Sequence, residues 1–298
     1  MSLVKIRKAV IAVAGMGTRF LPQTKAMPKE MLPIIDKPII QCVVEELVDA
    51  GIEDIVLVTG THKRSIEDHF DSPSSDLVKM LSKDSSKKHL LDEVENISNL
   101  ANFIYIRQKG AQGTATPLIN AENIIGNEPF IYTYGDDFIK AKPGRFKQMV
   151  EAYNQNNTSI LSLIRVQDDS DYDKYGFVDG SEEKNGLLRI SSITEKPGKS
   201  KAPSSLASVS SYLFTPSIFS YLNEVKNNYN NKTEFYLQYA IQLMIDRGED
   251  VLGYEVKNAK YYDTGSKLEY LKTVIDFGLA HPVLGKDLKA YIKKVIDK

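Results

Sequence analysis

The chain has 298 residues, of which 42% are hydrophobic and 26% charged, as is ordinary for a globular protein with a sizeable core. Its formal net charge of -1 disfavours a general nucleic-acid binder, and its longest apolar runs, AVIAVAG and DIVLVTG, are far too short to cross a bilayer. A single cysteine, Cys42, excludes an internal disulfide and fits a reducing compartment, so we expect a cytoplasmic protein that binds neither nucleic acid nor membrane.

Strands and helices are predicted to alternate through the first half of the chain. Residues 8–15 (KAVIAVAG) form a short apolar run ending in glycine, which is typical of a strand buried on both faces of a parallel sheet. A helix is predicted over 38–50, with proline at its first position and Gly51 as its cap, followed by a second buried strand over 54–60. This order predicts a right-handed βαβ unit. Further strands are predicted over 102–108, 129–135 and 158–166, with helices after Gly113 and over FKQMVEAYN.

The second half is less regular. Strands are predicted at YGFVDG, LRISSITEK, SLASVSSYLF and DVLGYEV, and helices at PSIFSYLNEV and TEFYLQYAIQLMIDRG. The polar stretches over 72–89 and 196–205 are predicted to be mobile surface segments. We therefore expect one α/β domain over 1–298, with a mixed, mostly parallel sheet flanked by helices. Residues 267–298 are predicted to form a C-terminal helical extension.

The segment AVAGMGTRFLPQTKAMPKEMLP (residues 12–33) follows the first strand and admits three interpretations. A dinucleotide-binding fingerprint is disfavoured because its third glycine would fall on Phe20, and a P-loop is disfavoured because the chain has no G-x-x-x-x-G-K-[ST]. The third is a nucleotidyltransferase loop, in which small residues let the backbone approach a triphosphate while cations neutralise the transferring phosphorus and the leaving pyrophosphate. Arg19 and Lys29 are the cations that such a loop needs.

The same segment resembles the signature of the sugar-nucleotide pyrophosphorylases, G-x-G-T-R-x-x-P-x-T-x-x-x-P-K-x-x-L-P, at ten positions from Gly15 to Pro33. Within that superfamily the chain is most similar to the bacterial UTP–glucose-1-phosphate uridylyltransferases. The resemblance extends through YGFVD, ITEKP and YYDTGSK to the tail HPVLGKDLKAYI. It implies a Rossmann-like nucleotidyltransferase fold and Mg²⁺-dependent, in-line transfer of a uridylyl group from UTP to glucose 1-phosphate, with release of pyrophosphate. It also implies a homodimer or homotetramer.

The resemblance implies roles for the residues that match it. Arg19 would contact the departing phosphates and Lys29 would hold phosphate near the reacting centre, whereas Lys25 is either a phosphate contact or a solvent-exposed lysine. Nucleotide-binding positions are Ala14, Gly15, Gly17, Gln108 and Gly113. The amide of Gln108 can donate and accept, which suits the edge of a pyrimidine.

Two distant aspartates carry the implied metal site. Asp136 follows a predicted strand at the edge of the sheet where α/β proteins bind ligands, and Asp263 lies in YYDTGS. Mg²⁺ prefers one or two carboxylates, with phosphate oxygens and waters completing its octahedron. Asp137 is the adjacent alternative to Asp136.

The implied sugar-phosphate site comprises Gly176, Glu195 and Lys196, with Glu234 as a weaker candidate. Glu195 would bind sugar hydroxyls and Lys196 would act on the phosphate as a catalytic cation. Because neighbouring strand residues face opposite ways, both can reach one ligand only if the chain bends there, and the following Pro197 makes a bend plausible.

The chain departs from the pattern of these enzymes at 114–117, 134–135, 210–211 and 233–239, which we interpret as substrate-facing segments. Altered pocket residues can shift base or sugar choice. Two alternatives therefore stay open: a nucleotidyltransferase for another nucleotide or sugar 1-phosphate, for example dTTP, or a nucleotide-sugar binding protein without turnover.

Overall fold

The computed structural model describes residues 5–166, 168–183, 186–229 and 234–297, with residues 137 and 138 described by their backbone alone. The strands are β1 (Lys8–Val13), β2 (Pro33–Ile34), β3 (Lys37–Pro38), β4 (Asp54–Thr59), β5 (Asn102–Arg107), β6 (Phe130–Tyr134), β7 (Asp137–Ala141), β8 (Ser159–Arg165), β9 (Gly176–Glu182), β10 (Leu187–Glu195), β11 (Leu206–Phe214), β12 (Val251–Glu255) and β13 (Ala259–Asp263). The helices are α1 (Ile39–Asp49), α2 (Arg64–His69), α3 (Ser75–Ser82), α4 (Lys88–Ser98), α5 (Thr116–Ile125), α6 (Arg145–Asn156), α7 (Ile218–Asn227), α8 (Leu237–Asp246), α9 (Lys267–Ala280) and α10 (Gly285–Ile296).

Nine of the strands in the described residues form one mixed sheet, in the order β5-β4-β1-β6-β11-β8-β12-β10-β9. The first four of these are mutually parallel, and β8 and β12 are parallel to each other. Only β11 and β10 run against the other strands of this sheet. The prediction of an α/β fold with a mixed, mostly parallel sheet is confirmed.

Helices cover both faces of the sheet, because its central strands are apolar on both sides. In β1, Ile11 and Val13 pack with α1 and α6, whereas Val10 packs on the opposite face with α5, α7 and α8. This alternation follows from the two-residue period of a strand. The result is a three-layer arrangement with a core on each side of the sheet.

The predicted βαβ unit is present as β1, α1 and β4, with α1 beginning directly after Pro38. The segment over 72–89, predicted to be a mobile surface segment, is largely exposed and forms α3 and the start of α4. The side chain of Ser74 caps α3 by accepting a hydrogen bond from the amide of Leu77 at 3.3 Å. The strand β7 was not predicted; it pairs with β13 in a two-stranded sheet outside the main one.

The last two helices pack against each other, and α9 also contacts β13 and β2. Gly278 of α9 lies so close to Leu288 of α10 that a side chain there would collide with it. Among the described residues, none of the helices has the length and apolar character needed to cross a membrane.

Candidate active site

A cleft of about 710 Å³ opens at the carboxyl ends of β1, β5 and β6. This is the edge at which open α/β sheets bind ligands. Eight of the positions predicted from sequence line it together: Ala14, Gly15, Gly17, Arg19, Lys29, Gln108, Gly113 and Asp136. Glu234, the weaker candidate, lines it as well, whereas Lys25 is exposed and is not among its lining residues.

The loop after β1 is folded tightly over Lys29. Gly17 has a φ of 63°, a left-handed conformation that favours glycine, and a Cβ there would lie 3.1 Å from the Cβ of Lys29. Its carbonyl accepts a hydrogen bond from the hydroxyl of Thr24 at 2.7 Å. The spacing of the signature thus brings the lysine back beneath the glycine loop, and the Lys29 ammonium lies beside Gly15.

Lys29 forms an ion pair with Asp136, with Nζ 2.5 Å from Oδ2. Beneath it lies a second pair that the sequence did not predict: Lys63 Nζ is 2.7 Å from Glu30 Oε2, and the two side chains are 4% and 1% exposed. Burial raises the pKa of Glu30, while the lysines oppose the shift. Four charged groups of alternating sign therefore lie together, with Asp136, Lys29 and Glu30 lining the cleft and Lys63 buried behind them.

Asp136 and Asp263 meet at Gly265. A Cβ on this glycine would lie 3.0 Å from Asp263 Oδ1 and 3.5 Å from Asp136 Oδ2, with Arg19 Nη1 at 3.3 Å. The other oxygen of Asp263 accepts a hydrogen bond from the hydroxyl of Tyr175 at 3.2 Å. Two carboxylates that converge near Gly265 are a donor set that fits Mg²⁺ with phosphate oxygens and waters.

This pair is not a metal cage. Within the part of the chain that the structure describes, His, Cys, Asp and Glu side chains never gather in a group of three that could hold a metal ion. The side chain of Asp137, the alternative ligand, lies outside what is described, but its backbone pairs with Asp263 across β7 and β13.

The loop that carries Gln108 and Gly113 is fastened to the segment preceding α8. The amide of Phe235 donates to the carbonyl of Gln112 at 2.8 Å, and the amide of Ala115 donates to the carbonyl of Phe235 at 3.0 Å. Gly113 has a φ of 140°, and a side chain on it would collide with the Phe235 backbone. The hydroxyl of Thr114 accepts a hydrogen bond from the amide of Leu237 at 3.0 Å.

The bend predicted after Glu195 is present. Lys196 directly follows β10 and has a φ of 45°, so its side chain turns to the same side as Glu195. The Lys196 ammonium lies 3.7 Å from Glu195 Oε1 and 5.2 Å from the centre of the Tyr236 ring. Burial raises the pKa of Glu195, Glu234 raises it further, and Lys196 opposes the shift.

The predicted sugar-phosphate residues adjoin the cleft rather than line it. Gly176 faces Glu195 across β9 and β10, at a position where a Cβ would lie 3.1 Å from Glu195 Oε2. Glu234 connects the two regions, because it lines the cleft and also lies close enough to Glu195 to shift its pKa. The sequence analysis did not single out Tyr236, because nothing in the run TEFYLQYAI marks this residue as part of a site.

One pair of departures does not face substrate, contrary to our interpretation. Ser210 and Ser211 are buried in β11, at 3% and 0% exposure. The carbonyl of Ser210 accepts from the hydroxyl of Thr133 at 2.7 Å, and its hydroxyl accepts from the guanidinium of Arg145 at 3.2 Å. By contrast, Thr114, Pro117 and Tyr134 line the cleft, so the departures at 114–117 and 134–135 do reach it.

Known proteins resemble this chain over nearly its full length. A family model described as nucleotidyl transferase matches residues 8–276. A UTP–glucose-1-phosphate uridylyltransferase of Staphylococcus epidermidis is 42% identical over 291 residues, which are 98% of this chain and 99% of that relative. The solved structure of a UTP-bound UGPase from Acinetobacter baumannii superposes with a TM-score of 0.86 at 35% identity, covering 97% of this chain and 99% of that one.

A UDP-glucose pyrophosphorylase solved in complex with UDP-glucose superposes with a TM-score of 0.81 at 37% identity, covering 92% of this chain and 98% of that one. Family model, relatives and structures all extend over nearly the full length. The chain therefore belongs to the nucleotidyl transferase family, and within it to the UTP–glucose-1-phosphate uridylyltransferases, which are also called UDP-glucose pyrophosphorylases.

Proposed function

We propose that this protein transfers a uridylyl group from UTP to glucose 1-phosphate and releases pyrophosphate. The observation that carries the proposal is the convergence of Arg19, Lys29 and Asp136 on one cleft, in a chain 42% identical to an enzyme named for this reaction. Such a transfer needs charge neutralisation and alignment more than a protein nucleophile, and the site supplies cations and carboxylates.

Each group has a distinct task in the proposed in-line displacement. The loop from Ala14 to Gly17 receives the triphosphate, and Gln108 and Gly113 receive the base. Arg19 neutralises the departing pyrophosphate. Lys29, held by Asp136, neutralises charge at the transferring phosphorus. Mg²⁺ bound by Asp136 and Asp263 would supply a further positive charge on the phosphate oxygens.

The sugar phosphate is proposed to bind beside the cleft. Gly176 leaves room for the sugar, Glu195 accepts hydrogen bonds from its hydroxyls, and Lys196 binds its phosphate and directs the attacking oxygen. The Tyr236 ring beneath Lys196 restricts where that ammonium can lie. We propose that residues 1–298 form one catalytic domain.

Pyrophosphate release is the test of this function. The purified protein with Mg²⁺ is given UTP, dTTP, CTP, ATP or GTP together with glucose, galactose or mannose 1-phosphate. We expect release with UTP and glucose 1-phosphate in clear preference to every other pair. Preference for another pair, such as dTTP with glucose 1-phosphate, would reassign the substrate, and release with none would contradict the proposal.

We also propose a homodimer or homotetramer in which α9 contacts a second copy. Four apolar side chains follow one another on α9 at spacings of three or four residues and are 61%, 57%, 45% and 39% exposed: Leu268, Leu271, Ile275 and Leu279. Such spacing forms one stripe of a helix and is typical of helix packing. Light scattering should give a dimer or tetramer, and Leu271→Asp with Ile275→Asp should give a monomer. A monomeric wild-type protein would refute this.

We propose the cytoplasm as the place of action. Support comes from Cys42, the single and unpaired cysteine of the chain, which is typical of proteins in reducing compartments. Cell fractionation tests it, with activity expected in the soluble fraction.

A further inference from the structure

Gln238 is a buried polar residue with unused hydrogen-bonding capacity. It lies in the first turn of α8 and is 6% exposed. Among the described residues, its Oε1 has no hydrogen-bond partner, and the same holds for Glu195 Oε2. Buried acceptors are almost always paired in native proteins, so two unpaired ones require an explanation.

The two side chains converge on Gly176. The missing Cβ of this glycine would lie 3.1 Å from Glu195 Oε2 and 3.4 Å from Gln238 Nε2. The missing Cβ therefore lets a carboxylate and an amide approach the backbone of Gly176 closely, and we call this side of the glycine the Gly176 space. A hydroxyl group suits this arrangement, because it can donate to Glu195 Oε2, which has no partner among the described residues, while it accepts from Gln238 Nε2.

We propose that Gln238 is a specificity-determining residue that binds one hydroxyl of the sugar 1-phosphate jointly with Glu195. This inference rests on the proposed function. A phosphate does not explain the pair, because unpaired acceptors need a donor and a phosphate near neutral pH offers mainly acceptors. The base does not reach it either, since Phe235 and Leu237 face the nucleotide loop by their backbones while Gln238 faces Glu195.

Gln238 also belongs to a segment whose sequence departs from the pattern of the related enzymes. The departures at 114–117 and 233–239 touch each other, through the hydrogen bond from the Leu237 amide to the Thr114 hydroxyl. Thr114 therefore fixes the start of α8, and the helix in turn places Gln238 opposite Gly176. Two changes that are distant in sequence thus act on one pocket.

The test removes the amide at constant volume. Gln238→Met keeps the length of the side chain without its polar end. The matched control is Gln242→Met, one turn further along α8, where the side-chain oxygen accepts a hydrogen bond from the amide of Ile193 at 2.8 Å and does not face Gly176. For each protein, kcat/KM is measured at saturating UTP with glucose 1-phosphate and with its 2-, 3-, 4- and 6-deoxy analogues.

We expect the wild type and Gln242→Met to disfavour one deoxy analogue by about tenfold or more, as is typical of a lost hydrogen bond to a charged group. In Gln238→Met, the ratio of kcat/KM for glucose 1-phosphate to that for the same analogue should be about threefold to tenfold smaller, and the ratios for the other analogues should not change. Equal preferences in wild type and Gln238→Met for all four analogues would overturn the inference.

Two further outcomes are distinguishable. If Gln238→Met does not fold, Gln238→Thr gives the same comparison, because threonine keeps a hydroxyl too short to reach the Gly176 space. If the wild type releases no pyrophosphate with any pair of substrates, the proposed function fails, and this inference fails with it. If another sugar 1-phosphate is the substrate, its deoxy analogues decide in the same way.

Discussion

Replacement of Lys63 by methionine should destabilise the protein through Glu30. The two buried side chains form an ion pair at 2.7 Å, so the variant keeps the volume but leaves a carboxylate buried without its partner. Breaking a buried pair in this way typically costs about 3–5 kcal/mol of folding free energy. Glu30 can instead bind a proton and become neutral. The loss of folding free energy then cannot exceed the free energy of protonating the carboxyl group, which depends on pH.

The limit follows from the ordinary pKa of a glutamate, 4.5. Keeping a glutamate protonated when the pH is above this pKa costs about 1.36 kcal/mol per pH unit. The cost is therefore about 4 kcal/mol near pH 7.5 and about 1.4 kcal/mol near pH 5.5. Because burial raises the pKa of Glu30 in the folded state, the folded variant keeps a proton that the unfolded chain has released. Its stability therefore falls as pH rises from about 4.5 toward the raised pKa.

Urea unfolding of wild type and Lys63→Met at both pH values measures the effect. We expect a loss of about 3–4 kcal/mol near pH 7.5 and of about 1 kcal/mol near pH 5.5. The control is Lys5→Met, which breaks the exposed Lys5–Glu53 pair and should cost less than about 1 kcal/mol. Adding Glu30→Gln to Lys63→Met should recover most of the loss. A loss that is independent of pH, and unaffected by Glu30→Gln, would refute the reasoning.

The remaining predictions concern the active site and the cysteine. Asp136→Asn and Asp263→Asn should each lower kcat about a thousandfold or more with an unchanged circular dichroism spectrum, and normal turnover in either would remove that residue from the metal role. Lys196→Ala should raise KM for glucose 1-phosphate about tenfold or more, measured by pyrophosphate release, while KM for UTP stays within about twofold. Gly176→Ala puts a methyl group 3.1 Å from Glu195 Oε2 and should also raise the KM of the sugar phosphate; an unchanged value would mean that the space is not used. Burial raises the pKa of Cys42 to about 11, against an ordinary value of 9.0, so its alkylation near pH 8 should be about a hundredfold slower than in urea.

The sequence predicted those strands and helices whose local pattern of apolar residues matches their burial in the fold. Strands β1 and β4 are short apolar runs that are each followed by a glycine, and α1 is bounded by Pro38 and Gly51, so each could be recognised alone. The strand β7 was missed because its residues, Asp137–Ala141, combine charged and apolar side chains outside the main sheet. The serines of β11 were misjudged because their departure from the pattern of the related enzymes was taken to mean that they face substrate, whereas this strand lies inside the sheet and is covered on both sides.

The site was predictable only where a motif carried it. The glycine–arginine–lysine signature identified the cleft, and resemblance to related enzymes supplied Asp263. The contacts of Lys63 with Glu30, of Tyr175 with Asp263 and of Gln238 with the Gly176 space join residues far apart in the chain. The local sequence does not predict such contacts, because residues of the same types also occur in surface helices and turns.

The segment from Glu234 to Gln238 has a consequence for the order of events in catalysis. Its backbone is hydrogen-bonded to the loop over 112–115, and its last side chain lies beside Gly176, in the proposed sugar site. A nucleotide that orders this loop should therefore also order Gln238, which should lower the entropic cost of binding the second substrate. The two substrates should consequently bind with positive cooperativity, and by linkage the sugar phosphate should strengthen nucleotide binding by the same free energy.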